Sequence, residues 1–309
     1  MRRSMTQRSL LLVNRHSRRG HETLAQVLSQ LQALGFEVFE ESTEKPEQLP
    51  EIIRSYRDRV DVVIIGGGDG TLNAALEGLV DTQLPLGILP LGTANDLART
   101  LQIPQSIAQA CQVIATGNQR RIDLGKVNHK YFFNVASLGL SVQITNKLDK
   151  NAKRRWGVLA YAATALNVVW KARPFRAEIR MGKDSIRVKT IQIAVGNGRY
   201  YGGGMAVAND AAINDQRLDL YSLECDRWWQ ILLLVPAIWR GRQANWPGVR
   251  TLKGKEFEIY TRKPHPINAD GEIVTYTPAK FRLIPNAITV FVPNLPAIPG
   301  LGEVARNSW

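Results

Sequence analysis

The run Gly66-Gly67-Gly68-Asp69-Gly70-Thr71 constrains this chain most. It follows Val60-Asp61-Val62-Val63-Ile64-Ile65, β-branched and almost wholly apolar, which reads as a strand buried on both faces of a parallel sheet. After it, Leu72, Ala75, Leu76 and Leu79 recur at helical spacing. Strand, glycine turn and helix in that order expose backbone N–H groups at a helix N-terminus, which favours phosphate. A side chain at the glycines would keep an anion away from the backbone. A tight turn without a ligand is the structural alternative. No Gly-Lys-Ser/Thr ends the run, so it is not a Walker A loop. Thr71 stands where a G-x-G-x-x-G dinucleotide loop needs its last glycine.

A second segment, Leu86-Gly-Ile-Leu-Pro-Leu-Gly-Thr-Ala-Asn-Asp-Leu-Ala-Arg99, again reads as strand, turn and helix. Gly92-Thr93 marks the turn, and Asn95-Asp96 falls where short polar side chains cap free helix amides. With these two segments the chain resembles the bacterial lipid kinases with a diacylglycerol kinase catalytic domain, the YegS/DgkB type. GGGDGT at 66–71 and PLGTANDLAR at 90–99 match that family's nucleotide-binding signatures, and the similarity runs from about residue 9 to about residue 293.

The rest of the chain divides by texture. Ser9–Asn14 reads as a first strand. His21–Leu34 is an amphipathic helix with Leu24, Val27, Leu28, Leu31 and Leu34 on one face, and Gly35 ends it. Phe36–Glu41 alternates as a strand and Pro46–Arg59 is helical. Strand and helix keep alternating to Ala115, which predicts a parallel α/β sheet. After Arg121 come short strands: Ile122–Val127, Tyr131–Val135, Arg176–Met181, Ser185–Gly196, Arg217–Leu223, Glu256–Tyr260, Ile267–Asn268, Ala279–Leu283 and Ala287–Val292. Val127-Asn128-His129-Lys130-Tyr131 is a hairpin candidate. The expected architecture is therefore an α/β nucleotide-binding domain over residues 1–122 and a β-rich, sandwich-like domain over 123–292. A tail, 293–309, packs back on the first domain or frays. The resemblance implies the same plan, with ATP and lipid meeting in the cleft.

Composition fits a soluble enzyme with two cores. Two cysteines, Cys111 and Cys225, build no disulfide framework and point to a reducing cytoplasm. The apolar runs near Val158–Trp170 and Ile231–Trp239 fall short of the roughly 20 residues that span a bilayer. The net charge is nevertheless +13, with eleven Lys/Arg against three Asp/Glu between Lys147 and Arg187. Trp156 and Trp170 punctuate that stretch, and Arg227-Trp228-Trp229 with Trp239-Arg-Gly-Arg242 repeats its chemistry. Such clusters suit the headgroup level of an anionic membrane; core helices with solvated basic ends are the equal alternative. No nucleic-acid motif accompanies the charge, so nucleic acid is not an expected partner. The expected location is cytoplasmic, peripheral to the inner face of the membrane, and a homodimer stays open.

Phosphoryl transfer needs a phosphate cradle, Mg²⁺ and a base beside the acceptor hydroxyl. Asn268-Ala-Asp270-Gly271-Glu272 resembles the family's acidic D-G-E motif, although as bare residues it reads as a hairpin turn. By the resemblance Glu272 accepts the lipid hydroxyl's proton, and Asp270 helps bind the nucleotide's metal or orients Glu272. Asp69 inside the glycine loop is expected to reach phosphate-bound Mg²⁺ or to cap a turn. Asp123 matches the family's acidic position at the domain junction, with Arg120 or Arg121 as the alternative partner. The resemblance extends nucleotide contacts to Thr43, Gly66, Gly67, Gly68, Gly70, Thr71, Leu72, Thr93 and Asn95. It also implies a structural Mg²⁺ held by Asp215 and the carbonyls of Ala212 and Arg217. There the family reads N-D-G where this chain has Asn214-Asp215-Gln216, so a positive φ at Gln216 would be strained. The loop 14–20 lacks the family's Pro and first Gly.

The reading that follows is an ATP- and Mg²⁺-dependent lipid kinase with diacylglycerol as the expected acceptor. An NAD kinase, which shares the G-G-D-G-T loop, and a non-catalytic lipid-binding regulator are the alternatives.

Overall fold

The structure is a computed structural model that describes residues 6–13, 20–42, 45–147, 169–198, 200–201, 205–206, 212–225, 230–231, 234 and 246–294. The chain opens with β1 (Gln7–Val13), α1 (Gly20–Ala33), β2 (Phe36–Glu41), α2 (Leu49–Ser55), β3 (Val62–Gly67), α3 (Asp69–Ala74), α4 (Leu76–Thr82), β4 (Leu86–Pro90), α5 (Asp96–Thr100) and α6 (Ile107–Thr116). Then follow β5 (Gln119–Val127), β6 (Lys130–Phe132), β7 (Val135–Gly139), α7 (Leu140–Lys147), β8 (Phe175–Met181), β9 (Asp184–Thr190), β10 (Gln192–Gly196), β11 (Tyr200–Tyr201) and β12 (Met205–Ala206). The last strands are β13 (Leu218–Leu223), β14 (Val249–Gly254), β15 (Glu256–Thr261), β16 (Pro266–Ala269), β17 (Glu272–Tyr276) and β18 (Ala279–Phe291).

The alternating first part forms a parallel sheet in the order β2-β1-β3-β4. Its central strand β3 is buried along its whole length, as its apolar run requires. On α1, Leu24, Val27 and Leu31 are buried and Leu28 is partly so, as is Leu34 just past its end, which is the stripe their spacing predicts. The second part is β-rich. Six antiparallel strands form a sheet in the order β14-β13-β10-β7-β16-β17. The parallel sheet continues through β18 into β15, β8 and β9, with β5 and β6 attached. An α/β first part and a β-rich second part thus hold as expected.

Two strands tie the parts together. β5 places Ile122 and Leu124 in the core under the parallel sheet and Val127 in the core between the β-rich layers. β18 runs the other way, with Phe281 and Leu283 in the second core and Ile288, Val290 and Phe291 in the first. Its register against β5 breaks between Ile284 and Ile288, so Pro285-Asn286-Ala287 bulges opposite Asp123. Residues 287–292, grouped by sequence texture with the second domain, therefore complete the first core.

Other differences have local causes. The predicted strand Tyr131–Val135 is interrupted because the amides of residues 133–135 turn to a carboxylate described below. The predicted strand Ser185–Gly196 breaks at Ile191, and its halves join different sheets. Thr190 holds that break: its hydroxyl donates to the Leu223 carbonyl and accepts from the Gln192 N–H. The hairpin at Val127–Lys130 forms as predicted, with Asn128 at φ +51°. Of the basic aromatic clusters, residues 148–168, 226–229 and 235–245 lie outside the described residues, as do residues 295–309; Trp170, which is described, is 64 % exposed. No helix among the described residues is long and apolar enough to cross a membrane.

Candidate active site

The two glycine segments meet at the ends of β3 and β4, which pair in register up to Gly67 and Pro90. A β-carbon at Gly92 would lie 2.4 Å from the Gly68 Cα, so only glycine allows these backbones to touch. Asn95 stands in the left-handed region at φ +51°, which its short polar side chain tolerates. Its amide is engaged within the segment: Oδ1 accepts from Gly92 N–H at 3.0 Å, and Nδ2 donates to the Gly92 carbonyl and to Gln105. The expected local cap of α5 comes from elsewhere. Asp69 accepts the N–H groups of Asp96 and Leu97, both at 3.0 Å, and so stitches the first glycine loop to the second helix. Its two carboxylate oxygens are thus both bonded to backbone.

Thr71 folds back over Gly67, where a β-carbon would lie 2.7 Å from its hydroxyl. Gly70 and Thr93 are exposed. The Leu72 side chain is 2 % exposed in the core and its N–H donates to the Gly68 carbonyl. Thr43 and residues 14–19 lie outside the described residues.

The acidic motif arrives from the second part. Asp270 (φ +48°) and Gly271 (φ +103°) form the two-residue turn between β16 and β17, where Ala269 pairs with Glu272. Both central residues at positive φ match the Asp-Gly preference of such hairpins. The bare-residue reading of a hairpin turn was therefore correct locally, but the turn is not idle. Asp270 accepts four N–H groups: Phe133 at 2.6 Å, Asn134 at 3.0 Å, Val135 at 3.1 Å and the Asn73 side chain at 2.9 Å. Burial pushes its carboxyl up to about 6, and the four donors pull against that shift. Asp270 is a clamp between the turn, the start of β7 and α3, the helix that leaves the glycine loop.

That clamp sets Glu272. A β-carbon built on Gly70 would lie 3.6 Å from Glu272 Oε1, so the exposed carboxylate stands against the glycine loop. Two positioning residues escaped the sequence reading. Asn73 holds Asp270, and Asn268 accepts the Gly271 N–H at 2.9 Å. Asn73 sits two residues after the glycine motif and Asn268 two before Asp270, so proximity to the motifs was the available signal.

Asp123, 1 % exposed, is the junction's hub. It accepts Gln216 N–H at 2.8 Å and Asn286 N–H at 2.7 Å, both from residues at positive φ. Neither oxygen needs an arginine, and Arg121 reaches Gln83 instead. Asn197 donates to the Asp123 carbonyl and to Phe133, tying β10 to the same corner. Gln216 does sit at φ +57°, a strain of about 1 kcal/mol relative to glycine. Beside it, burial pushes the Asp215 carboxyl above its ordinary value, while Ala212 N–H and Arg217 pull it down. Arg217 Nε lies 3.1 Å from Asp215 Oδ2.

Residues 8–127 match the model of the diacylglycerol kinase catalytic domain, and residues 134–292 match the YegS C-terminal NAD kinase beta sandwich-like domain. The chain is 30% identical over 275 residues to a diacylglycerol kinase of Staphylococcus saprophyticus, covering 88% of this chain and 90% of the relative. It is 31% identical over 293 residues to an Enterobacter protein named "Probable lipid kinase YegS-like", covering 92% and 96%. The crystal structure of a diacylglycerol kinase from Bacillus anthracis shares the fold at a TM-score of 0.79 and 24% identity, over 93% of this chain and 98% of that one. With a glycine-loop lobe, a β-sandwich lobe and an acidic turn shared across both, the chain belongs to the lipid kinase family that joins a diacylglycerol kinase catalytic domain to a YegS-type C-terminal domain, phosphotransferases with an alcohol as acceptor.

Proposed function

We propose that this chain transfers the γ-phosphoryl group of ATP to a lipid hydroxyl, with diacylglycerol as acceptor and phosphatidic acid as product. The observation that carries the reading is Glu272 standing against Gly70 of the glycine loop. A hydroxyl is a poor nucleophile without a base in reach, and Glu272 is the exposed carboxylate at this place. In this reading residues 1–122 bind nucleotide, with the triphosphate over Gly66–Thr71 and Thr93, and residues 123–292 present the base and the acceptor. Backbone amides that need no reorganisation offset phosphate charge as it shifts during transfer. Mg²⁺ carried on the nucleotide, when bound, neutralises part of the same charge. Asp69, Asp123 and Asp270 have positioning roles here: each uses its carboxylate to fix backbone around the cleft.

Radiolabelled ATP incubated with a total lipid extract tests this, with the labelled product identified chemically. Labelled phosphatidic acid is expected. Label in NAD supplied alongside would favour the NAD kinase alternative, and ATP binding without transfer to any lipid would favour a non-catalytic regulator.

We further propose a peripheral position on an anionic membrane. Among the described residues, Arg176, Arg187, Lys189 and Arg262 outnumber one acid, Glu178, around a concavity of about 490 Å³ on β8, β9 and the end of β15. Arg176 sits directly opposite Lys189, which concentrates positive charge on this face. Sedimentation with phosphatidylglycerol vesicles should weaken as salt rises from 0.05 to about 0.5 M, because exposed charges are screened. Salt-independent binding would count against this surface.

A further inference from the structure

Three carboxylates, Asp123, Asp215 and Asp219, gather around the loop 212–217. Asp215 lies close enough to Asp123 to feel its charge, and it shares a cation with Asp219, which is 7 % exposed. Carboxylates gathered out of water need positive charge beside them. In the family pattern that charge is a divalent ion, held by the aspartate and two carbonyls around an Asp-Gly turn. This chain departs from the pattern at Gln216, and the variable position after it holds a cation, Arg217. Gln216 keeps the turn's positive φ at a strain that glycine would avoid. Arg217 Nε lies 3.1 Å from Asp215 Oδ2 and 3.5 Å from Asp219 Oδ2. The Asp215 oxygens also accept the Ala212 N–H at 3.2 Å and the Arg217 N–H at 3.3 Å. Lys253 stands 4.0 Å from the other Asp219 oxygen. The one side chain of the family's donor set, Asp215, thus already faces a cation.

We infer that the guanidinium of Arg217 takes the place of the structural divalent ion, so that the Asp215 corner of this chain is held by an internal cation and not by Mg²⁺. The guanidinium's delocalised charge lies within ion-pair distance of both Asp215 and Asp219, through Nε and without a hydrogen bond from that atom. Because Asp215 is 21 % and Asp219 10 % exposed at the side chain, this contact is sheltered from the screening that weakens surface pairs. The corner also holds Asp123 through the Gln216 N–H. The shape of the junction then becomes independent of free Mg²⁺, while any ion carried by nucleotide is unaffected.

The inference rests on the family reading only for what ordinarily occupies the site. Thermal unfolding without ATP or lipid therefore tests it, and a chain that transferred no phosphate would still give an answer. The natural chain is expected to melt at the same temperature in EDTA and in millimolar MgCl₂. Arg217→Leu should melt several degrees lower in EDTA, and Arg217→Lys should recover part of the loss. The double variant Gln216→Gly/Arg217→Leu restores the family's turn and should gain a Mg²⁺-dependent rise in melting temperature. A natural chain that melts lower in EDTA would overturn the inference, as would a double variant indifferent to Mg²⁺. If the leucine variants fail to fold, the natural chain's response to EDTA decides alone.

Discussion

At the scale of single residues, the carboxylates divide by what they touch. Glu272 stands exposed against Gly70, whereas Asp69, Asp123 and Asp270 are bonded to backbone amides. Glu272→Gln keeps the shape and removes the basicity. It should lower kcat by about 10² to 10⁴ with nucleotide affinity little changed, measured by steady-state assay beside calorimetric titration of ATP. Equal loss of binding and turnover would remove Glu272 from the role of base. The glycines make a second, purely steric test. Gly92→Ala would force a β-carbon to 2.4 Å from the Gly68 backbone, while Gly70→Ala meets its first neighbour at 3.6 Å. The first should cost several kcal/mol of stability and the second under about 1, read from urea unfolding. Similar losses for both would mean that the two loops do not touch as described. Cys111 needs no such role: burial pushes its thiol up to about 11, so it packs as a small inert side chain.

At the scale of elements, the working unit is the turn between β16 and β17 together with α3 and the start of β7. Asp270 joins these elements, which are brought together from positions about 200 residues apart in the chain, as its bond to Asn73 shows. Its titration makes a pH prediction. The folded carboxyl sits at about 6 and the unfolded one near its ordinary 3.8. Between those values the folded chain keeps a proton that the unfolded chain has released, so this group's contribution to stability declines as pH rises from about 4 to 6. The contribution is fully present below that window. The gap in unfolding free energy between the natural chain and Asp270→Asn should therefore change across pH 4 to 6 and level off above it. A gap that stayed constant would show that burial does not govern this group. The glycine loop's chemistry was legible in sequence because strand, turn and helix are local in the chain. The clamp was not, because its four donors are gathered only by tertiary contacts. The same reason explains why a strand predicted through residues 131–135 breaks: amides 133–135 bond a carboxylate in place of a neighbouring strand.

At the scale of the whole molecule, β5 and β18 make the two parts interdependent. Ile288, Val290 and Phe291 arrive at the first core from the far end of the chain, and β18 flanks β4 where the parallel sheet would otherwise end. Residues 1–127 expressed alone should therefore lack a cooperative unfolding transition, and the full chain should unfold in one step seen by circular dichroism and tryptophan fluorescence alike. A stable, cooperatively folded 1–127 fragment would contradict this dependence. The long strand also explains the place of Asp123: its carboxylate receives the Asn286 N–H of the bulge that lets β18 pass from one core to the other.

Periodicity and glycine punctuation determined the local order of this protein: a buried strand before each glycine turn, an apolar helix stripe after the first, and a hairpin where Asp-Gly stands. Those signals are local because they depend on residues within a few positions of one another. Only the tertiary structure decided which carboxylate stands exposed beside the glycine loop, which ones are bonded to backbone around it, and that Arg217 faces Asp215 and Asp219. A side chain's partners come from other elements, and burial, which sets the strength of each contact, is a property of the assembled cores.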